Sequence, residues 1–331
     1  MARAVNYVWN FCNESQRSCL RLGKRWLSGF DLTSLTAGSS KEVGLPAESI
    51  RAVCLQYAQS RREKKRPYLR WRSRRSLGWV PFKRRDIKMF GDKVLYFGMN
   101  YKISNSRPFP DGATIRDGGS FSEDALGRWY INIVLDVPTI HLPHSQDAVG
   151  IDLGLKNLAT LSTGDVIPNE REYRRLESAL GISQRAGKKR RSRAISAKIA
   201  NRRRDRLHKS STDIVRRFGN IFVGDASPKA LARTRMAKSI NDASWASFKE
   251  MLRYKSDYAG RVYLEVNESY STQACSRCGC LPNGRPRGIA GLGIREWDCG
   301  DCGAHHDRDI NAAANILRSG HGSLAEGVAA V

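Results

Sequence analysis

Two cysteine pairs near the carboxyl end limit what this chain can fold into more than any other feature. Cys275 and Cys278 form one Cys-x-x-Cys pair, and Cys299 and Cys302 form a second pair after twenty intervening residues. Each pair predicts a tight knuckle that supplies two thiolates, and four thiolates complete the tetrahedral set of a structural zinc site. We therefore expect these four cysteines to bind Zn²⁺ in a zinc ribbon at about residues 270–306.

The segments on either side of this ribbon each carry an acid. Before it, residues alternate as in a strand, with Val262, Leu264 and Val266 on one face and Glu265 on the other. After it, an apolar stripe predicts a helix with Asp309 in its first turn. A metal knuckle thus joins a strand that carries a carboxylate to a helix that opens on another. This suggests a second, catalytic metal site nearby.

A further acid, Asp152, lies inside the apolar run at residues 148–155. A buried strand has no structural use for a lone carboxylate, which is costly unless it is paired or binds metal. The alternative is an aspartate that caps a turn. Another apolar strand, Ile221–Asp225, ends on an acid, and residues 231–258 predict a helix with a core stripe that includes Trp245 and Phe248.

The composition favours a polyanionic partner, because the 331 residues carry a formal net charge of +25. The chain lacks an apolar run of about eighteen residues and a signal peptide, so we expect neither a membrane span nor export. The four cysteines outside the two pairs are scattered along the sequence, and we interpret them as small apolar residues of a protein in a reducing cytoplasm.

Two segments concentrate the positive charge. Arg61–Arg75 holds nine basic residues against one acid and is interleaved with aromatic rings, and Arg185–Arg206 holds eleven basic residues against one acid. Arginine pairs with phosphate while rings stack on bases, so we expect nucleic acid on both segments; the alternative is a solvated basic face. The candidate contacts are Arg66, Tyr68, Arg70, Trp71, Arg72, Arg74, Arg75, Lys83, Lys188, Lys189, Arg190, Arg202 and Arg203.

Changes in periodicity divide the chain into three regions. Residues 1–66 predict a helical lobe with a Gly/Ser/Thr-rich connection at 28–44, and residues 67–146 predict short strands that form a small β-barrel. Residues 147–331 predict an α/β domain in which a long, basic helical hairpin at 171–217 separates two strands and the zinc ribbon is an insertion.

Four stretches together resemble the TnpB (OrfB) family of transposon-encoded RNA-guided nucleases, whose RuvC-type domain relates them to type V CRISPR effectors. These stretches are Gly150-Ile-Asp-Leu-Gly-Leu155, Ala243-Ser-Trp245 with Phe248 and Leu252, Ser271-Thr-Gln-Ala-Cys-Ser-Arg-Cys278, and Asp309-Ile-Asn-Ala-Ala313. The resemblance covers about residues 60–318. It implies a helical recognition lobe, a wedge barrel, and a split ribonuclease-H-like (RuvC) nuclease domain with a zinc insert.

Two departures from the family pattern stand out. Family members usually begin with a barrel strand, whereas Met1 here opens almost directly into a helix. The family's second active-site acid is usually a glutamate at the position that is Gly224 in this chain. We expect Glu265 to reach across Gly224 from the neighbouring strand, so that Asp152, Glu265 and Asp309 bind two catalytic Mg²⁺ ions. Asp225 is a weaker substitute, because strand alternation turns it to the other face.

The resemblance implies an RNA-guided DNA endonuclease in the cytoplasm of a prokaryote, associated with the nucleoid. Its expected partners are a guide RNA from the transposon end and target double-stranded DNA with a short flanking motif, and we favour a monomer. One alternative is an RNA-guided DNA-binding repressor without nuclease activity, which Gly224 favours. Another is a plain zinc-ribbon protein that binds nucleic acid without a guide.

Overall fold

The computed structural model describes residues 1–104, 108–140, 142–143, 146–225, 244–287, 290–325 and 327. The chain divides into two compact units, Met1–Pro138 and Thr139–Val331. None of the helices within these described ranges is long and apolar enough to cross a membrane.

Helices and small sheets share one hydrophobic core in the first unit. The helices are α1 (Ala2–Arg21), α2 (Gly29–Leu35), α3 (Ser40–Val43) and α4 (Ala47–Glu63). The predicted connection at 28–44 contains α2 and α3. The start of α2 is fixed by a capping box, in which Ser28 and Asp31 each accept the other's backbone N–H.

The predicted β-barrel is not closed in the described part of this unit. Its strands form two separate three-stranded sheets, ordered β1-β5-β6 and β2-β3-β4. The strands are β1 (Trp79–Phe82), β2 (Ile87–Phe90), β3 (Lys93–Tyr96), β4 (Met99–Lys102), β5 (Thr114–Glu123) and β6 (Trp129–Asp136). An apolar cavity of about 470 Å³ is lined by side chains from both sheets, including Met99 and Tyr101 of β4 and Trp129 and Ile131 of β6.

A five-stranded mixed sheet forms the centre of the second unit. In sheet order its strands are β11 (Val262–Val266), β10 (Asn220–Gly224), β7 (Ala148–Leu153), β8 (Asn157–Leu161) and β9 (Val166–Pro168). Strands β7, β10 and β11 run parallel, while β8 and β9 pair antiparallel. The predicted strands around Asp152, at Ile221–Gly224 and before the zinc ribbon are therefore confirmed.

Consecutive strand residues point to opposite sides of this sheet, so both faces carry apolar side chains. Helices cover both faces. The helices are α5 (Glu172–Arg185), α6 (Lys189–Arg217), α7 (Trp245–Ala259) and α8 (Arg308–Ala325). Odd-numbered strand residues such as Ile151 and Val223 pack with α6 and α7, whereas Phe222, Leu264 and Val266 pack with α8. The predicted helix at 231–258 is confirmed from Trp245 onward, and its earlier part lies outside the described residues.

A glycine allows α8 to lie directly against β7. A Cβ atom at Gly150 would come within 2.1 Å of the carbonyl oxygen of Ala313, so no larger residue fits without moving the helix backbone. The segment that carries the four cysteines connects β11 to α8 and contains the short pair β12 (Glu296–Asp298) and β13 (His305–Asp307). The first turn of α8 is thereby held over the ends of the parallel strands.

Candidate functional site

Three carboxylates come together where the parallel strands end. Asp152 lies near the end of β7, Glu268 follows β11 by two residues, and Asp309 is in the first turn of α8. Burial, together with the negative charges of Asp309 and Glu268, raises the pKa of Asp152 to about 7, against the lowering effect of Arg308 and Arg295. A bound cation would stabilise the ionised form of Asp152, which burial and the neighbouring negative charges disfavour.

Glu268 uses the space left by Gly224. A Cβ atom built on Gly224 would lie 2.5 Å from Oε2 and 3.2 Å from Cβ of Glu268, and 3.2 Å from Cδ1 of Ile316. Glu268 therefore reaches the position that a side chain at residue 224 would occupy. The carboxylate of Glu268, in the loop after β11, thus occupies the space beside Gly224 of β10.

The structure does not bring Glu265 to this site. In the parallel register Val223 pairs with Glu265 and Gly224 pairs with Val266, so Glu265 lies on the face opposite Gly224. There its carboxylate accepts hydrogen bonds from Lys249 (3.0 Å), Arg253 (2.9 Å) and the hydroxyl of Tyr263 (3.1 Å). The structural role of Glu265 is to join β11 to α7, and the acid beside Asp152 and Asp309 is Glu268.

Asp225 fixes the backbone that carries Glu268. Its N–H donates to the carbonyl of Val266 at 2.9 Å, and its Oδ1 accepts the N–H of Glu268 at 3.2 Å. The carboxylate of Asp225 thus binds the main chain at the end of β11. This contact positions the neighbouring glutamate.

Two arginines surround Asp309. Arg295 donates to Oδ2 at 3.0 Å and Arg308 donates to Oδ1 at 3.1 Å, while Asp307 caps the helix by accepting the N–H groups of Asp309 and Ile310 at 2.9 Å each. The side chain of Asp309 is only 18% exposed. Its negative charge is balanced by two guanidinium groups and by the first turn of α8.

Two buried asparagines of α8 hold the loop between Glu268 and the first cysteine. The side-chain N–H groups of Asn311 and Asn315 donate to the carbonyls of Ser271 and Ala274 at 2.7–3.1 Å. Asn311 also accepts the N–H of Ser276 at 2.8 Å. The loop that follows Glu268 is therefore fastened to the helix that carries Asp309 by two residues that lie four positions apart on one helix face.

The four predicted cysteines form one compact cluster. Their sulfur atoms lie within 4.8 Å of one another, with Cys275 and Cys302 3.6 Å apart and Cys278 and Cys299 3.7 Å apart. A tetrahedron with zinc–sulfur bonds of about 2.3 Å has edges of about 3.8 Å, so this arrangement fits zinc.

The two knuckles have the same backbone geometry. Gly279 donates to the carbonyl of Cys275 and Gly303 to that of Cys299, both at 2.8 Å, and both glycines have positive φ. Nε2 of His306 lies 3.0 Å from the sulfur of Cys275, and its ring stacks at 4.8 Å on Trp297. His306 therefore supports the cluster from outside the four sulfurs.

The predicted nucleic-acid residues differ in exposure. Those with exposed side chains are Arg66, Tyr68, Arg70, Trp71, Arg74, Arg75, Lys188, Lys189, Arg190 and Arg202, whereas Arg72, Lys83 and Arg203 are half-buried. Lys83 lies 4.0 Å from Asp117, and Arg72 donates to Asn6 at 2.6 Å and to the carbonyl of Leu77 at 2.8 Å. Arg72 is therefore engaged within the protein.

Two family models match adjoining regions of the chain. Residues 132–235 match the family model described as a probable transposase (OrfB), and residues 245–316 match the TNB domain of Cas12f1-like proteins. A putative RNA-guided DNA endonuclease of Streptomyces pristinaespiralis is 37% identical over 229 residues, which is 65% of this chain and 55% of that protein. The chain is therefore similar to OrfB and Cas12f1-like proteins over these two regions.

Two further curated proteins match this chain over similar lengths. The putative RNA-guided DNA endonuclease InsQ of Escherichia coli K12 is 29% identical over 61% of this chain and 56% of its own length. Cas12f1 of Sulfoacidibacillus thermotolerans is 27% identical over 59% of this chain and 51% of its own length. The chain spans about half the length of these curated relatives.

A solved structure supports the fold. The Cas12f1 complex with sgRNA and target DNA superposes on this chain with a TM-score of 0.59, covering 96% of this chain and 81% of Cas12f1, at 13% sequence identity. At this level of identity the likeness concerns the fold alone.

Proposed function

We propose that the chain is an RNA-guided DNA endonuclease whose active site consists of Asp152, Glu268 and Asp309. The observation that carries this proposal is the grouping of three acids at the carboxyl ends of parallel strands, where open α/β sheets place their ligands. The sheet order and strand directions agree with a ribonuclease-H-like, RuvC-type domain. Two relatives are named as putative RNA-guided DNA endonucleases, which supports a guide RNA and a DNA target as the partners.

The donor set fits Mg²⁺, because carboxylate oxygens are the ligands that this ion prefers. Asp152, Glu268 and Asp309 would hold the metal, which when bound lowers the pKa of water and stabilises negative charge on the phosphate oxygens. We propose Glu268 in place of Glu265 as the second acid, since only Glu268 faces Gly224.

The remaining side chains position these acids. Asp225 holds the main chain of Glu268, and Asn311 and Asn315 hold the loop after it against α8. Arg295 and Arg308 hold the carboxylate of Asp309 in place by hydrogen bonds. The four-cysteine cluster, as a structural Zn²⁺ site, would keep β11 and α8 at a fixed separation.

We further propose that a guide RNA from the transposon end and double-stranded target DNA with a short flanking motif are the partners. Base pairing would read the target, while the basic segments 61–85 and 185–206 bind the nucleic-acid backbone. A second candidate function is an RNA-guided DNA-binding protein without nuclease activity, which the absence of a side chain at Gly224 favours.

Guided cleavage tests the proposal. The chain, purified with the RNA that accompanies it from cells expressing the flanking element end, is incubated with a matching DNA target in Mg²⁺ or in chelator. We expect metal-dependent cutting by the unmodified chain and none by Asp152→Ala, with target binding retained by both. Guided binding without cutting by the unmodified chain would support the second candidate instead.

A further inference from the structure

An extended segment of the first unit is held in place by a row of asparagines. Leu69–Ser73, here called the strap, belongs to neither a helix nor a strand, yet its backbone groups have partners on α1. Asn13 both donates to and accepts from the main chain of Leu69 at 2.9 Å, and Asn10 does the same for Arg72 at 2.8 Å. Such paired amide contacts fix a chain that would otherwise be a mobile loop.

Further contacts complete the attachment. Asn6 donates to the carbonyl of Ser73 and Trp9 donates to that of Arg70, both at 3.3 Å. The side chain of Leu69 is buried, and the guanidinium of Arg72 lies 5.5 Å from the ring centre of Trp9. The paired amide contacts thus fall on Leu69 and Arg72, and single hydrogen bonds to Arg70 and Ser73 complete the attachment to α1.

Exposed aromatic and basic side chains line this segment. Tyr68 and Trp71 are 50% and 43% exposed. The guanidinium of Arg17 on α1 lies 5.7 Å from the ring centre of Tyr68 and 5.9 Å from that of Trp71. We call Arg17, Tyr68 and Trp71 the shelf. Glu14 approaches Arg17 at 3.9 Å and balances part of its charge.

Positive charge surrounds the shelf. The exposed neighbours are Arg66, Arg70, Arg74 and Arg75, and within the described ranges none of these four forms an ion pair. Their charges are therefore available to phosphate groups. Fixing such a surface in advance removes the entropic cost of ordering it on binding.

We propose that the strap and shelf bind a nucleic-acid strand with unpaired bases, which stack on Tyr68 and Trp71 while the arginines contact phosphates. Exposed rings favour unpaired bases because the faces of bases inside a duplex are covered by their neighbours. Arg72 supports the strap from within and makes no such contact. The inference rests on the proposed function in one respect, namely that the partner is a nucleic acid.

Fluorescence anisotropy with the full chain, freed of accompanying RNA, tests this inference. The probes are an unstructured, labelled RNA of about twelve nucleotides and a blunt DNA duplex of equal length. We expect Trp71→Ala to weaken RNA binding by about tenfold and duplex binding by less than about twofold, because stacking on one ring accounts for that difference. Trp71→Phe should bind RNA nearly as the unmodified chain does.

Tyr7 provides the matched control, since it is 64% exposed on α1 but lies outside the shelf. Tyr7→Ala should leave RNA binding unchanged. The inference is overturned if Trp71→Ala binds RNA like the unmodified chain, or if it loses as much affinity for the duplex as for RNA.

The asparagine contacts are tested separately with Asn10→Ala, which removes neither charge nor ring. We expect faster amide hydrogen exchange at Leu69 and Arg72 and weaker RNA binding at an unchanged melting temperature, with Asn6→Ala as a milder second variant. Faster exchange with unchanged RNA affinity would refute the role of a fixed strap. Loss of guided cleavage alone would refute the nuclease assignment and leave this surface in place.

Discussion

Gly224→Ala is the substitution that most sharply tests how the active site is built. The added methyl group would lie 2.5 Å from Oε2 of Glu268, whereas ordinary contact begins at 3.4 Å. The carboxylate must therefore move by about 0.9 Å, and a misplacement of about 1 Å at a reacting centre costs on the order of a hundredfold in rate. We expect Mg²⁺-dependent cleavage to fall by that order.

The fold should tolerate this change, because the contacted atom is the end of a flexible side chain. We expect a melting temperature within about 2 °C of the unmodified chain. Gly300→Ala is the matched control, since a Cβ there meets nothing within 4 Å. Gly150→Ala provides the contrast, because its Cβ meets the backbone of α8 and should reduce stability.

The assay is single-turnover cleavage of a guided target at saturating protein, so that weaker binding does not imitate slower chemistry. Cleavage by Gly224→Ala at the unmodified rate would refute the placement of Glu268. The same geometry predicts that Gly224→Glu restores part of the activity lost in Glu268→Ala. In the double variant the carboxylate is carried by β10 itself.

Three further predictions follow from other parts of the site. Glu265→Gln should leave cleavage intact but lower the melting temperature by about 2–6 °C, because the side chain of Lys249, only 8% exposed, loses its charged partner. Cys299→Ser should release zinc, measured by a chromogenic chelator, and lower the melting temperature; an unchanged melting curve without bound zinc would contradict the structural role. The affinity for Mg²⁺, measured by calorimetry, should rise between about pH 6 and pH 8, because the pKa of Asp152 near 7 means that binding displaces a proton; pH-independent affinity would contradict this.

The same pKa has a consequence for the metal-free protein. A carboxyl whose pKa is raised from 3.8 to about 7 favours the folded state while it is protonated. That contribution is present below about pH 4 and is lost as the pH rises through 7. Mg²⁺ should therefore stabilise the protein more at neutral pH than at acidic pH.

Periodicity predicted most of the second unit correctly. The strands around Asp152 and Ile221, the helix from Trp245 and the strand before the ribbon follow from apolar patterns with clear spacing. The cysteine spacing predicted the four-sulfur cluster for the same reason, since ligand geometry fixes sequence spacing.

The expectation that Glu265 reaches across Gly224 was wrong by one residue of strand phase. Alternation already placed Glu265 on the face of Tyr263, opposite Val266, and in the structure Val266 is the partner of Gly224. Continuing the same alternation from Leu264 and Val266 reaches Glu268, so the sequence contained the signal. Strand β11 ends at Val266, two residues before Glu268, so an analysis of alternation within the strand does not include Glu268.

Other features depend on contacts that no local pattern contains. The attachment of the strap requires α1 and a segment about sixty residues away, and the asparagines involved are unremarkable in sequence. The open edges of β4 and β6 depend equally on tertiary packing, because short alternating strands are compatible with both a barrel and separate sheets.

The most direct test of the central claim compares Glu265 in β11 with Glu268 in the loop after it. The two side chains lie on opposite sides of the sheet. Guided cleavage in Mg²⁺ is measured for the unmodified chain, Glu268→Gln and Glu265→Gln, with target binding measured in parallel. The account predicts that Glu268→Gln binds without cutting while Glu265→Gln still cuts. Cutting by Glu268→Gln at the rate of the unmodified chain would contradict it.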